Sequence, residues 1–242
     1  MLGFVRLLLF IVSTAILIFV TVMLGVVLGT NIRRSMRMRR WWARIMVKLL
    51  GVKMDIRGEI PEQPGIIISN HRSYFDFVPL FNDLFAFPVG KIQINSWPLI
   101  GYGARQTGAL FVDRENPNQR KTIVKAIKEK VKEGFFVINY AEGTTHKKPK
   151  TIDFKAGAFK LASEENFSIY PVAIDYKHID DAWVDDDTFI RHFLECFNKW
   201  TTEVKVAYAP AKKGTQHQLL LQQTKNWIDD QLVLFQKEWS DS

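Results

Sequence analysis

His71 and Asp76, five positions apart, are the residues of this chain whose types and spacing best suit chemistry. They follow a short β-branched run, Ile66 to Ile68, that reads as a fully buried strand. Ser73 stands three residues before Asp76, as a helix N-cap stands before the partner of its capping box. His71 is therefore expected in a tight strand-to-helix turn, with Asp76 in the first turn of the helix. Inside one helix the two would point to different faces, since ~3.6 residues make a turn. Across the turn, the carboxylate can reach back and hold one imidazole nitrogen while the other faces a substrate. An imidazole oriented in this way is a general base, worth about 10²–10⁴ in rate. The same residues also fit a capping aspartate beside a surface histidine, and the stretch alone does not choose between the two.

The elements that must position this pair alternate short strand-like and helix-like runs after Gly51, the pattern of an α/β sheet with crossover helices. Strands are predicted over 65–69, 87–94, 109–112, 135–139, 168–173 and 203–208. Helices are predicted over 73–84, 119–133, 156–165, 187–199 and 216–237. The helix from Gln119 is the clearest, with Ile123, Ile127 and Val131 as its stripe and Gly134 as its stop. No repeat or low-complexity linker interrupts the chain, so one α/β domain is expected over 53–242.

Before that domain, no charge occurs between Arg6 and Arg33, and the run Leu7 to Leu28 is almost wholly apolar. It exceeds the ~20 residues that span a bilayer as a helix. A cleaved signal peptide has a shorter apolar core, about 7–15 residues, and a small-residue cleavage site. Here Arg33, Arg34, Arg37, Arg39 and Arg40 follow instead, like a stop-transfer cluster. Residues 1–32 are thus read as a retained membrane anchor, with the rest of the chain on the cytoplasmic face of the cell membrane. Crossing the bilayer is favoured, and lying within one leaflet is left open. Residues 33–52, with Trp41, Trp42 and the apolar positions Ile45, Met46, Leu49 and Leu50, are read as a basic amphipathic interfacial helix, or else as a core helix.

Composition sets further bounds. With 47% hydrophobic residues the chain is not disordered, and a net charge of +8 calls for an anionic partner. Anionic lipid fits better than nucleic acid, for which no reader motif is present. The single cysteine, Cys196, reads as a half-buried helix residue rather than a nucleophile. The glycine-rich stretch 101–108 lacks the Gly-Lys-Ser/Thr end of a P-loop, and Gln106 stands where a dinucleotide fold needs glycine. Neither a Gly-x-Ser-x-Gly elbow nor a His-Glu-x-x-His pair is present. The run Asp180, Asp181, Asp185, Asp186 and Asp187 lacks calcium-loop spacing and reads as a solvated face and helix start, so no metal is expected.

Asn70-His71 followed by Asp76 resembles the Asn-His-x-x-x-x-Asp motif of the glycerolipid acyltransferases, whose best-known members acylate lysophosphatidate. Three further blocks follow in order over roughly 65–175. Gly108 to Arg114 is similar to the family's Gly-x-Ile-Phe-Ile-Asp-Arg, and Phe136 to Thr145 resembles the block around Phe-Pro-Glu-Gly-Thr-Arg. Ile169 to Ile174 looks like the fourth block, on the acyl-binding side; without the family it is a buried strand containing a proline. The chain departs from the pattern at Ala141, in place of proline, and at Thr145, in place of arginine. His146, Lys147 and Lys148 follow and would compensate for the lost charge.

The resemblance implies a mixed, largely parallel sheet flanked by helices, the glycerolipid acyltransferase fold, behind the anchor. It implies His71 and Asp76 as the catalytic pair and Lys91 and Arg114 as holders of a phosphate. Glu142, Gly143 and Thr144 would shape the acceptor site, with Glu142 binding glycerol hydroxyls or ordering the turn. Read without the family, Lys91 is a snorkelling surface lysine and Arg114 a solvated ion pair with Asp113 or Glu115. The implied reaction moves an acyl group from acyl-CoA or acyl carrier protein to a lysophospholipid, foremost 1-acylglycerol-3-phosphate to give phosphatidic acid. Departures in the third block leave head-group-bearing lysolipids and lyso-ornithine lipid as alternative acceptors. No metal or organic cofactor is required, and amides at the start of the Ser73 helix are candidates for stabilising the oxyanion. A thioesterase using the same pair, or a catalytically silent lipid-binding protein, are the readings of other classes.

Overall fold

The computed structural model describes residues 1–113, 116–184 and 187–241. Arg114, Glu115, Asp185 and Asp186, named above, lie outside the described residues. Seven strands are described: β1 (Val52–Arg57), β2 (Ile66–Ser69), β3 (Ala86–Lys91), β4 (Leu110–Val112), β5 (Phe136–Tyr140), β6 (Ile169–Tyr176) and β7 (Thr202–Tyr208). They form one sheet in the order β1-β7-β6-β2-β5-β3-β4. Only the β6–β7 pairing is antiparallel, so the mixed, largely parallel sheet expected from the sequence is the one found.

Ile66, Ile67 and Ile68 are fully buried, because β2 lies mid-sheet and both its faces are covered. Alternation sends Ile67 toward one core and Ile66 and Ile68 toward the other. The first core lies under α2 (Ile32–Leu49), α3 (Phe77–Asp83) and α8 (Phe189–Phe197). The second lies under α6 (Pro117–Lys132), α7 (Gly157–Glu165) and α9 (His217–Ser240). Two prolines sit within the sheet without breaking it. Pro88 of β3 pairs with β5 just before the register with β4 begins at Val89, so it lies beyond the edge strand's reach. Pro171 precedes the first β6–β7 pair, Val172 with Tyr208.

Three departures from the sequence expectation bear on the site. β1 is an additional strand, an edge strand whose charged alternate residues hide its pattern. The strand predicted to reach residue 94 stops at Lys91, where the short helix α4 (Ile92–Asn95) begins. The glycine-rich stretch forms the helix α5 (Ile100–Thr107), and its glycines allow close packing. A Cβ on Gly101 would collide with the Asn95 carbonyl oxygen, and one on Gly103 would come within 3.2 Å of Ile18.

That Ile18 belongs to α1 (Leu2–Leu28), which is long and apolar enough to cross a membrane by length and composition. It packs along its length on α2, α5 and α8. Phe10 meets the rings of Trp42, Phe189 and Phe193, and Ser13 and Thr21 reach the sulfurs of Met46 and Met38. The opposite face, including Phe4, Leu8, Ile16, Phe19 and Val26, is exposed. Near its start, the buried Arg6 guanidinium donates to the carbonyls of Leu49 (3.1 Å), Phe197 (3.1 Å), Lys199 (2.6 Å) and Trp200 (3.0 Å). These are C-terminal ends of α2 and α8, where carbonyls lack helical partners and a cation suits the helix dipole. Met36, Ala43, Met46 and Leu50 of the second N-terminal segment are buried in the cores, while Arg33, Arg37, Trp41, Arg44, Ile45 and Lys48 form an exposed stripe. Replacing Arg6 with Met would leave those carbonyls without a donor. We expect a loss of about 2–3 kcal/mol, measured by unfolding of the detergent-solubilised protein.

Candidate active site

β2 leads directly into the site. The Asn70 side chain takes the place of a peptide unit, donating to the Ile174 carbonyl at 2.8 Å and accepting from its N–H at 2.9 Å. This extends the β2–β6 pairing one residue past the strand and fixes where His71 emerges. A 3-10 turn, Tyr74–Asp76, follows in place of the first turn of a long helix, with Ser73 as its N-cap in a capping box. Asp76 is thus at once the capping partner and the partner of His71, the two roles that the sequence offered as alternatives.

Asp76 is wholly buried, and four donors meet its two oxygens. Oδ2 accepts from His71 Nδ1 (2.7 Å), Arg72 N (2.7 Å) and Ser73 N (3.0 Å), and Oδ1 accepts from the Tyr176 hydroxyl at 2.8 Å. Burial, reinforced by the Asp76 charge, pushes the Tyr176 phenol well above its ordinary pKa, so it stays a donor. A carboxylate accepting four hydrogen bonds requires the proton on His71 Nδ1 and leaves Nε2 as the acceptor. The imidazole stacks on Tyr140 at 4.0 Å between centroids and meets Phe77 edge-on at 6.0 Å, which fixes its plane. The Tyr140 phenol, too, is pushed well above its ordinary pKa by burial, with the Asp76 charge adding to the effect.

Glu142 is buried and orders the turn. Oε2 accepts from the His71 N–H at 2.6 Å, while Oε1 accepts from His146 Nε2 at 2.7 Å and Ile152 N at 3.1 Å. With both oxygens engaged and covered, it is not placed to bind acceptor hydroxyls. Gly143 has φ +78°, and a Cβ there would stand 2.8 Å from Lys155 Nζ, so glycine is required. Thr144 is exposed beside it. Lys91 is exposed at the end of β3, in register with Val112 at the end of β4, the strand that precedes Arg114. The structure brings together His71, Asp76, Glu142 and Gly143. Lys91 lies two strands away from β2, across β5.

Sequence reasoning missed four contributors. Arg72 is buried, 3.1 Å from Asp175, and donates to His146 Nδ1 (3.2 Å) and the Lys148 carbonyl (2.7 Å). His146 Nδ1 also accepts from Lys148 N at 3.1 Å, so Nε2 carries the proton given to Glu142. His146 therefore turns inward and does not replace the charge missing at Thr145. Tyr140 and Tyr176 complete the set; each ends a strand, the one cue the sequence held. Of the amides proposed as oxyanion donors, those of Arg72 and Ser73 serve Asp76 and that of Phe75 serves the Ser73 hydroxyl.

Two expectations outside the site resolve plainly. Cys196 is buried in α8, its thiol pushed far up by burial and by Asp181, which makes it inert. Asp181 itself is not on a solvated face; it is buried and paired with Lys199 at 2.5 and 2.6 Å. Among the described residues no group of three or more His, Cys, Asp or Glu is placed to hold a metal.

An apolar cavity of about 170 Å³ is walled by α1, α2, α3, α5 and α8. Its lining includes Phe10, Leu17, Trp42, Phe81, Phe111 and Phe77, the last being the ring that touches His71. The imidazole, with Nδ1 held by Asp76, is thus separated from this apolar slot by the Phe77 ring.

The pattern of the acyltransferase family matches residues 51–175, and the chain belongs to that family. Among its relatives, the lyso-ornithine lipid O-acyltransferase of Pseudomonas aeruginosa is 30% identical over 162 residues, 64% of this chain and 62% of that protein. The lyso-ornithine lipid O-acyltransferase of Rhizobium meliloti is 26% identical over 228 residues, 82% of this chain and 78% of that protein. A chloroplastic 1-acyl-sn-glycerol-3-phosphate acyltransferase of Arabidopsis thaliana is 29% identical over 139 residues, 55% of this chain and 38% of that protein. The fold is that of the 1-acyl-sn-glycerophosphate acyltransferase of Thermotoga maritima, with TM-score 0.64 and 14% identity over 95% of this chain and 97% of that one.

Removing single donors from the site should act in graded steps. Asp76→Asn, which no longer fixes the proton on Nδ1, should lower kcat by about 10²–10⁴. Tyr176→Phe removes one of four donors and should lower it by about tenfold. Steady-state rates, with circular dichroism to verify folding, measure both.

Proposed function

We propose that this chain is a membrane-bound lysolipid O-acyltransferase that uses an acyl thioester. The observation that carries the reading is the buried Asp76 holding His71 Nδ1, which leaves Nε2 as a base on an imidazole that packs against Phe77, part of the wall of the apolar cavity. In the proposed reaction Nε2 takes the proton of the acceptor hydroxyl, and that oxygen forms the ester bond to the thioester carbonyl carbon. The carbon–sulfur bond then breaks, and Nε2 returns the proton to the departing thiolate. His71 stays unacylated throughout, and the acyl chain lies in the apolar cavity.

Relatives of two acceptor types leave the acceptor to be chosen on chemistry. Thr145 and the inward His146 leave the third block without the guanidinium that would contact a phosphate. This favours an acceptor less dependent on that contact, and the names of the bacterial relatives point the same way. Lyso-ornithine lipid is our first candidate and 1-acylglycerol-3-phosphate the second, with Lys91 and Arg114 as the groups that would hold an anionic head. Arg6 holds the start of α1 against the domain, which favours a helix lying in one leaflet over one crossing the bilayer. In this arrangement the exposed apolar face of α1 enters lipid, and the Arg33–Lys48 stripe meets anionic head groups on the cytoplasmic face.

Purified protein should transfer a labelled acyl group to a lysolipid, and His71→Ala should abolish product by about 10²–10⁴. Acyl release without added acceptor would instead indicate a thioesterase. Ala104 lines the apolar cavity, so Ala104→Phe should shift preference toward shorter chains. The ratio of KM for a sixteen-carbon to an eight-carbon donor is expected to rise at least roughly tenfold. A cysteine at Leu2 should be labelled from the cytoplasmic side; protection there would restore the spanning arrangement.

A further inference from the structure

A second cavity, of about 510 Å³, plays no part in the chemistry above. It lies on the β6 side of the catalytic turn, and Arg72, the residue after His71, forms part of its wall. Arg72, Lys147, Lys148 and Lys177 line it against the single carboxylate of Asp175, which Arg72 already neutralises at 3.1 Å. Of the lysine pairs nearby, Lys147 with Asp180 at 3.1 Å is exposed and Lys177 with Glu203 at 3.3 Å is half-buried. Such pairs contribute little and exchange readily for a better anion. Trp239 adds an aromatic wall. A cavity of this size, with excess cationic charge and an indole, suits a ligand that carries both phosphates and a flat ring system.

The position narrows the choice. Ala182 lines this cavity and the next residue, Trp183, lines the apolar one, so a single chain segment separates the two. The acceptor's head belongs on the opposite flank of β2, toward Lys91 beyond β5, whereas this cavity lies toward β6. An acyl-CoA has a hydrocarbon chain at one end and a 3′-phosphorylated adenosine diphosphate at the other, joined by a long flexible arm with the thioester between. With the thioester over His71, the two cavities receive its two ends.

We propose that the cationic cavity binds the phosphorylated adenine nucleotide of an acyl-CoA donor, with lysine ammonium groups on the phosphates and Trp239 against the base. The assignment rests on the acyl-transfer reading for its biological sense, but its binding test does not. Titration calorimetry of the wild-type protein with adenosine 3′,5′-bisphosphate should give saturable binding that Lys148→Ala/Lys177→Ala weakens by about tenfold. Trp239→Leu should weaken it independently. In transfer assays the double variant should raise the ratio of KM for palmitoyl-CoA to KM for S-palmitoyl pantetheine, which lacks the nucleotide, by about tenfold. Absence of nucleotide binding in a protein that transfers acyl groups overturns the site and leaves the transferase standing. Nucleotide binding without transfer to any lysolipid keeps the site and overturns the transferase. An unchanged KM ratio, or a defect confined to acyl carrier protein as donor, overturns the nucleotide assignment.

Discussion

A carboxyl group closed off from water needs donors from the protein to replace the lost solvation, and Asp76 has four. Three come from the turn that contains it, and the fourth, the Tyr176 hydroxyl, comes from the end of β6. The solvation of this one group therefore links a local turn to the order of the sheet. β6 must neighbour β2 in the observed register for Tyr176 to reach it, and Asn70 secures that register by bonding both backbone groups of Ile174. From the other neighbour of β2, Glu142 at the end of β5 holds the His71 amide. The imidazole is positioned by three adjacent strand ends, one through its ring and two through its supports.

The parts that were legible in the sequence are those written over a few consecutive residues. His71 and Asp76 announced themselves through the strand before them and the Ser73 cap between them, and Gly143 through the need for a tight approach. What sequence reasoning did not find were partners some seventy to one hundred residues apart, such as Arg72 with His146 and Tyr176 with Asp76. No spacing encodes such pairs; only the crossover connections of a parallel sheet bring them together. Glu142 shows a different limit. Its type and place in a motif fitted two roles, and only its enclosure by His71, His146 and Ile152 selects the structural one. The short strand β1 and the helices after β3 were obscured for local reasons, the former by alternating charge and the latter by glycines that serve packing rather than a loop.

The N-terminal helices are part of the same site. Phe10, Thr14 and Leu17 of α1 wall the apolar cavity, while the far side of that helix is bare hydrocarbon surface. Arg39 of α2 caps the carbonyls of Thr107 and Gly108 at 2.8 Å each and stacks over Phe81 in the cavity wall. One helix thus separates the apolar cavity from the exposed apolar surface of the N-terminus. On the polar side the sheet ends present cations on both flanks of His71, Lys91 toward β3 and the lysine-lined cavity toward β6.

The Arg6 contacts also order events at the ribosome. Three of its four carbonyl partners, on Phe197, Lys199 and Trp200, lie more than 190 residues later in the chain. At synthesis rates of about 5–20 residues per second, the first helix emerges roughly ten to forty seconds before its docking surface exists. For that interval its apolar surface has only the membrane, or a chaperone, to cover it. In the lipid-bound arrangement proposed above, lipid contact precedes tertiary assembly, and the domain completes itself against a helix that is already at the bilayer.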